Sequence, residues 1–216
     1  MKSKLFQFFD KKDLVTVWVA IVCLFLYIIF PTNNVFQKII SSLVFLLVIP
    51  FLYVKIILKK SLKNFGFKKG NWMTGIFWSV ISLVISISIA YIIFRYFGFL
   101  EKYPFPRYLA KNFLFFLAYE ILLVGFFAFL YEVFLRGFVM LSFSKKIGLW
   151  SVVLQAFLFL SLLYFSGSIS WTMVPYLIFL FFSGIIVYLS DSIIYSFLSF
   201  VIFNIIFDSF FIYAIK

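Results

Sequence analysis

Residues 176–189 read Tyr176-Leu177-Ile178-Phe179-Leu180-Phe181-Phe182-Ser183-Gly184-Ile185-Ile186-Val187-Tyr188-Leu189, a run without a single charge. It does not alternate between apolar and polar residues, as the ~10-residue strands of a membrane barrel do. A helix satisfies its backbone donors and acceptors internally, so it is the expected form for such a run in hydrocarbon. The stretch from Leu14 to Phe30 has the same character. Working outward, apolar runs of spanning length cover about 14–30, 39–58, 73–97, 112–135, 149–165, 171–190 and 193–215, where about 20 residues are needed per crossing. The chain has 216 residues, 66% hydrophobic and 12% charged, about half the charged share of a soluble domain. These proportions exclude a soluble enzyme, a disordered chain and a disulfide scaffold. The expected fold is all-α: a polytopic transmembrane helical bundle of about seven spans, forming a single membrane domain over residues 1–216.

The first run is longer than the core of a secretion signal and has no small-residue cleavage site after it. Pro31-Thr32-Asn33-Asn34 reads instead as a turn. Ahead of it, Leu5, Phe6, Phe8 and Phe9 share a helical face among lysines, which suits either a short interfacial helix or a frayed basic terminus. With the N-terminus in the cytoplasm, that side would hold Lys2, Lys4, Lys11 and Lys12, the lysines from Lys55 to Lys69, and Arg136, Lys145 and Lys146. The other side would keep Lys38, Arg95, Lys102, Arg107, Lys111 and Lys216. This bias predicts a cytoplasmic N-terminus. The net charge of +12 is spread over short loops, which fits contact with anionic lipid headgroups rather than nucleic acid. Trp72, Trp150 and Trp171 each stand near a span start, as interfacial anchors do.

Ionisable residues within spans cost about 2.5–3.5 kcal/mol on insertion scales, so each needs a reason. Glu132 and Arg136 are four apart, on one helix face, with the acid N-terminal to the base. They read as an ion pair closing the fourth span, with Arg136 reaching the interface. Asn204 and Asp208 share a face of the last span; Asp208 is either neutral or paired with a base such as Arg95 or Arg107. Glu120 precedes Glu132 by 12 residues, about 18 Å of rise, so these two cannot form a dyad. Gln155 and Ser183-Gly184 read as helix–helix contacts. Histidine is absent, and Cys23 is the one cysteine, so neither a metal site nor any other cofactor is expected.

With these residues in view, the chain resembles the CPBP family of CAAX prenyl proteases and bacteriocin-processing proteins, also called Abi. Its intramembrane site carries three motifs: EExxxR, FxxxH, and HxxxN or HxxxD. Tyr131-Glu132-Val133-Phe134-Leu135-Arg136-Gly137 is similar to the first, with Tyr131 in place of the leading glutamate. Leu160 through Tyr164 is similar to the second, with Tyr164 for its histidine. Phe200 through Asn204 is similar to the third, with Phe200 for its histidine and Asn204 kept. Leu62 through Phe67 is also similar to a family segment. The resemblance implies a CPBP-like core over 112–208, preceded by N-terminal spans and a basic loop over 1–111. It implies that a glutamate and a histidine activate water, and that the other histidine and the asparagine hold the oxyanion.

The substitutions remove most of that chemistry. Tyrosine, with an ordinary pKa near 10, is a poor base, phenylalanine can neither donate nor accept, and Arg136 engages the surviving Glu132. Losing one oxyanion donor alone costs about 10²–10³ in rate. The expected function is therefore a catalytically inactive pseudoprotease that binds a membrane protein, peptide or lipid; the family's relatives include bacteriocin-immunity proteins. One alternative is an active glutamic-type intramembrane peptidase with Glu132 as its catalytic residue and Tyr131 or Tyr164 as proton donor. Another is a small transporter subunit lined by Glu120, Asp208 and Asn204.

Overall fold

A computed structural model describes residues 10–96, 103 and 105–215; the segment with Leu5, Phe6, Phe8 and Phe9 lies outside them. No strand occurs among the described residues. Among the described residues, six helices are long and apolar enough to cross a membrane, as in a multi-pass membrane protein. The long helices are α1 (Lys11–Ile29), α2 (Val35–Ile57), α3 (Trp72–Tyr96), α4 (Phe113–Ile147), α5 (Trp150–Phe165), α6 (Val174–Ser190) and α7 (Ile193–Ile215). Of these, α5 is the exception: its 16 residues rise only about 24 Å, less than a ~30 Å hydrocarbon core. The expected fifth span is therefore a short apolar helix.

Burial is inverted relative to a soluble protein. Trp18, Phe25, Phe36, Phe157 and Tyr213 stand exposed on the bundle surface, whereas Glu120, Glu132, Arg136, Gln155, Asn204 and Asp208 are buried. Apolar side chains gain nothing by avoiding lipid tails, so they face outward, while polar groups must find one another inside.

Connections at the end where α1 starts are polar and tight. Lys146, in the last turn of α4, is ion-paired with both Asp10 and Asp13, and the Asp10 backbone N–H donates to the Asp13 carboxylate at 2.7 Å. Lys68 pairs with Asp191, which ends α6 in the left-handed region. A 3₁₀ turn, Leu62–Phe65, tucks Phe65 beneath α4, where its ring stacks on Phe138. The Gly66 carbonyl then accepts the Ile193 N–H at 3.1 Å, fastening this loop to the start of α7.

Small residues set the helix approaches. Gly75, Ser82, Ser86 and Ala90 are the buried stripe of α3, which packs on α6 and α7. A side chain at Gly184 of α6 would meet Gln155 and Val152 of α5, so the α5–α6 contact depends on this glycine. One cluster of buried residues joins α1, α2 and α4 with Phe65 and Leu162; a second joins α3, α6 and α7. Trp72 and Trp150 open α3 and α5, and Trp171 opens the turn leading into α6.

The largest departure from expectation is in α4. The apolar run suggested an end near 135, but the helix continues to Ile147. It is widened to π-helical geometry at Glu120–Val124 and Glu132–Met140. Such turns shift side-chain direction and often accompany functional positions. Here each begins at a buried glutamate. Arg136 is thus in the interior rather than at an interface, only 3% exposed.

Gly137→Ala would place a methyl carbon 2.9 Å from the Phe65 carbonyl oxygen, a backbone atom that cannot swing away. This substitution is expected to destabilise the folded protein by about 1–3 kcal/mol, seen as a lower melting temperature in detergent. A serine at the solvent-facing, left-handed Gly167 position, with no atom within 4 Å, should cost about 1 kcal/mol through backbone strain alone.

Candidate functional site

Two polar layers lie inside the bundle. The first surrounds Glu132. Its Oε1 accepts from Arg136 Nη1 at 3.1 Å and from Ser183 Oγ of α6 at 2.9 Å; its Oε2 accepts from Ser196 Oγ of α7 at 2.6 Å. Arg136 Nη2 donates to the Leu180 carbonyl at 3.3 Å, as Gln155 Nε2 does at 3.4 Å. Both ions are almost wholly buried. Breaking one side of such a buried pair is very costly, because it strands the other charge. Arg136 Nε and Gln155 Oε1 are nonetheless buried here without a partner. This layer joins α4, α5, α6 and α7, and Glu132 is not among the residues lining the cavity described next.

The second layer lines a cavity of about 410 Å³ toward the other end of the bundle. Its polar groups include Glu120, Tyr119 and Tyr131 from α4, Asn204 and Asp208 from α7, Tyr176 from α6, Lys38 from α2, and Tyr103 from the connection between α3 and α4. Tyr103 donates its hydroxyl to Asp208 Oδ1 at 2.6 Å and is hydrogen-bonded to the Tyr176 hydroxyl. Burial, then the neighbouring Tyr176 and Asp208, raise the Tyr103 phenol well above its ordinary value, so it stays a donor. Glu120 and Asp208 are within hydrogen-bonding reach of each other, yet no donor reaches either Glu120 oxygen. Two acceptor groups therefore face each other. Both polar atoms of the Asn204 side chain lack a partner as well, although Asn204 is only 2% exposed. The walls are rings: Phe105, Phe127, Phe159 and Phe200 among them.

The motif-equivalent positions divide between these layers. Tyr131, Phe200 and Asn204 line the cavity, and the Tyr131 hydroxyl is 3.0 Å from that of Tyr27. Glu132 and Arg136 lie behind it in the ion-paired layer. Tyr164 belongs to neither; it is 69% exposed on the outer face of α5. The cavity is lined instead by Phe159 and Leu163, one residue earlier than the expected Leu160 and Tyr164. The four-residue spacing survives with its register moved by one, and no base or donor stands there.

The sequence groups Glu120 with Asp208 and Asn204 only in the transporter alternative, and gives no direct contact between the two acids; for Asp208 it offers a neutral state or a pairing with Arg95 or Arg107. Among the described residues no ion pair joins Asp208 to either arginine; Arg107 is exposed and Arg95 lines a separate cleft with Phe207 and Tyr213. Depth was the available signal. Glu120 lies early in α4, Tyr176 early in α6 and Asp208 late in α7, which is one level in a bundle of alternating helices. Groups of acids, cysteines or histidines able to hold a metal ion are absent among the described residues. Compared with known proteins, the chain matches no family model, no curated protein and no solved structure.

Breaking one side of the ion pair should reveal its structural role. Arg136→Met is expected to destabilise the protein by about 3–5 kcal/mol, and Glu132→Gln/Arg136→Met by less than Arg136→Met alone. Thermal unfolding of the set in one detergent checks this. Tyr103→Phe should cost about 1.5–3 kcal/mol, because it removes the one hydroxyl donor fixed at 2.6 Å on the Asp208 carboxylate.

Proposed function

We propose that this chain is a catalytically silent, multi-pass membrane binding protein with a CPBP-like scaffold, holding its ligand in the cavity beside Asn204. The observation that carries this reading is the state of Glu132. The acid kept in the first motif is hydrogen-bonded by Ser183 and Ser196 and ion-paired with Arg136; both its oxygens are engaged and it does not line the cavity, which leaves it badly placed to take a proton from water. Meanwhile Tyr131, Phe200 and Asn204, from two separate motif-like segments, line one cavity, which supports the resemblance. A cavity of about 410 Å³ lies within the range of small-molecule and peptide-side-chain sites.

In this reading the chain crosses the membrane seven times, with the short α5 as the fifth crossing, and its N-terminus is cytoplasmic. The clustering of Lys68, Lys145 and Lys146 at the end where α1 begins supports that orientation and gives the face contacting anionic headgroups. The cavity then lies in the half of the bundle away from the cytoplasm. Partners that reach it are membrane peptides, membrane proteins or lipids. Activity through Glu132 is disfavoured by its ion pair, and Tyr164 cannot assist from the outer face of α5.

Purified protein in lipid vesicles is expected to leave membrane-spanning test peptides intact over many hours, as followed by mass spectrometry. Cleavage lost on Glu132→Gln would restore the peptidase reading; cleavage lost on Glu120→Gln would make the cavity acids catalytic instead.

A further inference from the structure

We propose that the cavity binds an organic ammonium group, seated against Glu120, Asp208 and Asn204, with the apolar remainder of its carrier against the surrounding rings. This deepens the reading of the cavity as a binding site and rests on it.

The argument begins with what is missing around the acids. Glu120 and Asp208 face each other with no donor on either Glu120 oxygen. The ion pairs among the described residues lie elsewhere: Lys68 with Asp191, Arg136 with Glu132, and Lys146 with Asp10 and Asp13. Lys38, the one cation among the described residues lining the cavity, places its ammonium 5.7 Å from the centre of the Phe127 ring. Two buried carboxyl groups in contact cannot both stay ionised without a positive charge between or beside them. Even when one shared proton lies between them, a negative charge is left in an apolar enclosure, where an opposite charge is held strongly.

Asn204 provides the independent second observation. Its carbonyl oxygen and amide nitrogen are both buried, unpartnered and on the cavity lining, whereas buried amides are ordinarily satisfied. A bound ammonium has three donors. It can give one to each carboxyl group and one to the Asn204 oxygen, filling the vacant acceptors together.

The remaining lining selects among cations. A hard metal ion takes six or more oxygen ligands, and two carboxyls with one amide in a wall of rings cannot supply them. Aromatic faces such as Phe127, Phe200 and Tyr176 attract an organic cation and bury its hydrocarbon. An anion would meet the acids, and a neutral molecule would leave their charge uncompensated.

The test uses the full chain in nanodiscs of phosphatidylcholine and phosphatidylglycerol, which lack primary amines. Calorimetric titration compares phenethylammonium with 2-phenylethanol, its uncharged counterpart. The ammonium is expected to bind at least about tenfold more tightly, the effect of one charge-assisted hydrogen bond. Glu120→Gln/Asp208→Asn should remove that difference while leaving the weaker binding of the alcohol in place. If that double variant does not fold, Glu120→Gln alone and Asn204→Leu serve, each expected to lower affinity for the ammonium only. Equal binding of the two probes, or ammonium binding indifferent to these variants, overturns the proposal and leaves the cavity an apolar binding site. Binding of neither probe overturns the proposal and the binding reading together. Nanodiscs containing phosphatidylethanolamine distinguish the source: weakened phenethylammonium binding supports a lipid headgroup as the natural ammonium, and unchanged binding supports a free amine.

Discussion

A charge taken into hydrocarbon must be answered by another charge or by hydrogen bonds, and the rest of this bundle is arranged around that requirement. Glu132 and Arg136 answer each other along one helix, and Ser183, Ser196 and the Leu180 carbonyl complete their shells from α6 and α7. Because the pair and its partners lie on three helices, α4, α6 and α7, this one pair sets the depth of each against the others. Acid and base, four residues apart, share one side of α4 within the wide turn over Glu132–Met140. Gly137, within that turn, lets the loop carrying Phe65 close beneath it.

The second acid layer follows different rules. Asp208 is twelve residues beyond Ser196 on α7, about 18 Å further along the axis, and Glu120 is the same twelve residues back from Glu132 along α4. There the carboxyls of Glu120 and Asp208 face each other, with Tyr103 donating to only one of them. One layer is closed by its own side chains and the other is left open toward a cavity. That contrast separates scaffold from site more sharply than the motif resemblance does, since the best-preserved motif residues, Glu132 and Arg136, belong to the closed layer.

Much of the architecture was legible because hydrocarbon imposes a simple pattern. Uninterrupted apolar runs located every long helix, and Trp72, Trp150 and Trp171 marked starts. The end of α4 was not legible: the apolar run stops near 135, whereas the Glu132–Arg136 pair and the Ser142 hydroxyl bonded back to the Phe138 carbonyl lie in a helix that continues to Ile147. The site was half legible. Tyr131, Phe200 and Asn204, the positions singled out through the family resemblance, line the cavity, whereas on α5 the inward residue is Leu163 and Tyr164 faces outward. The Glu120–Asp208 contact joins residues 88 positions apart, and no local periodicity encodes it. Tyr103, in a loop, carried no signal beyond its aromatic character.

The central claim is that α4 and α7 meet at two levels, one ionic and closed, the other acidic and open. Paired cysteine substitution with a short bis-thiol reagent, in a Cys23→Ala background, measures this directly. The account predicts intramolecular linkage for Glu120→Cys with Asp208→Cys and for Glu132→Cys with Ser196→Cys, and none for Tyr164→Cys with Asn204→Cys. Linkage through position 164, together with none between 120 and 208, would contradict it.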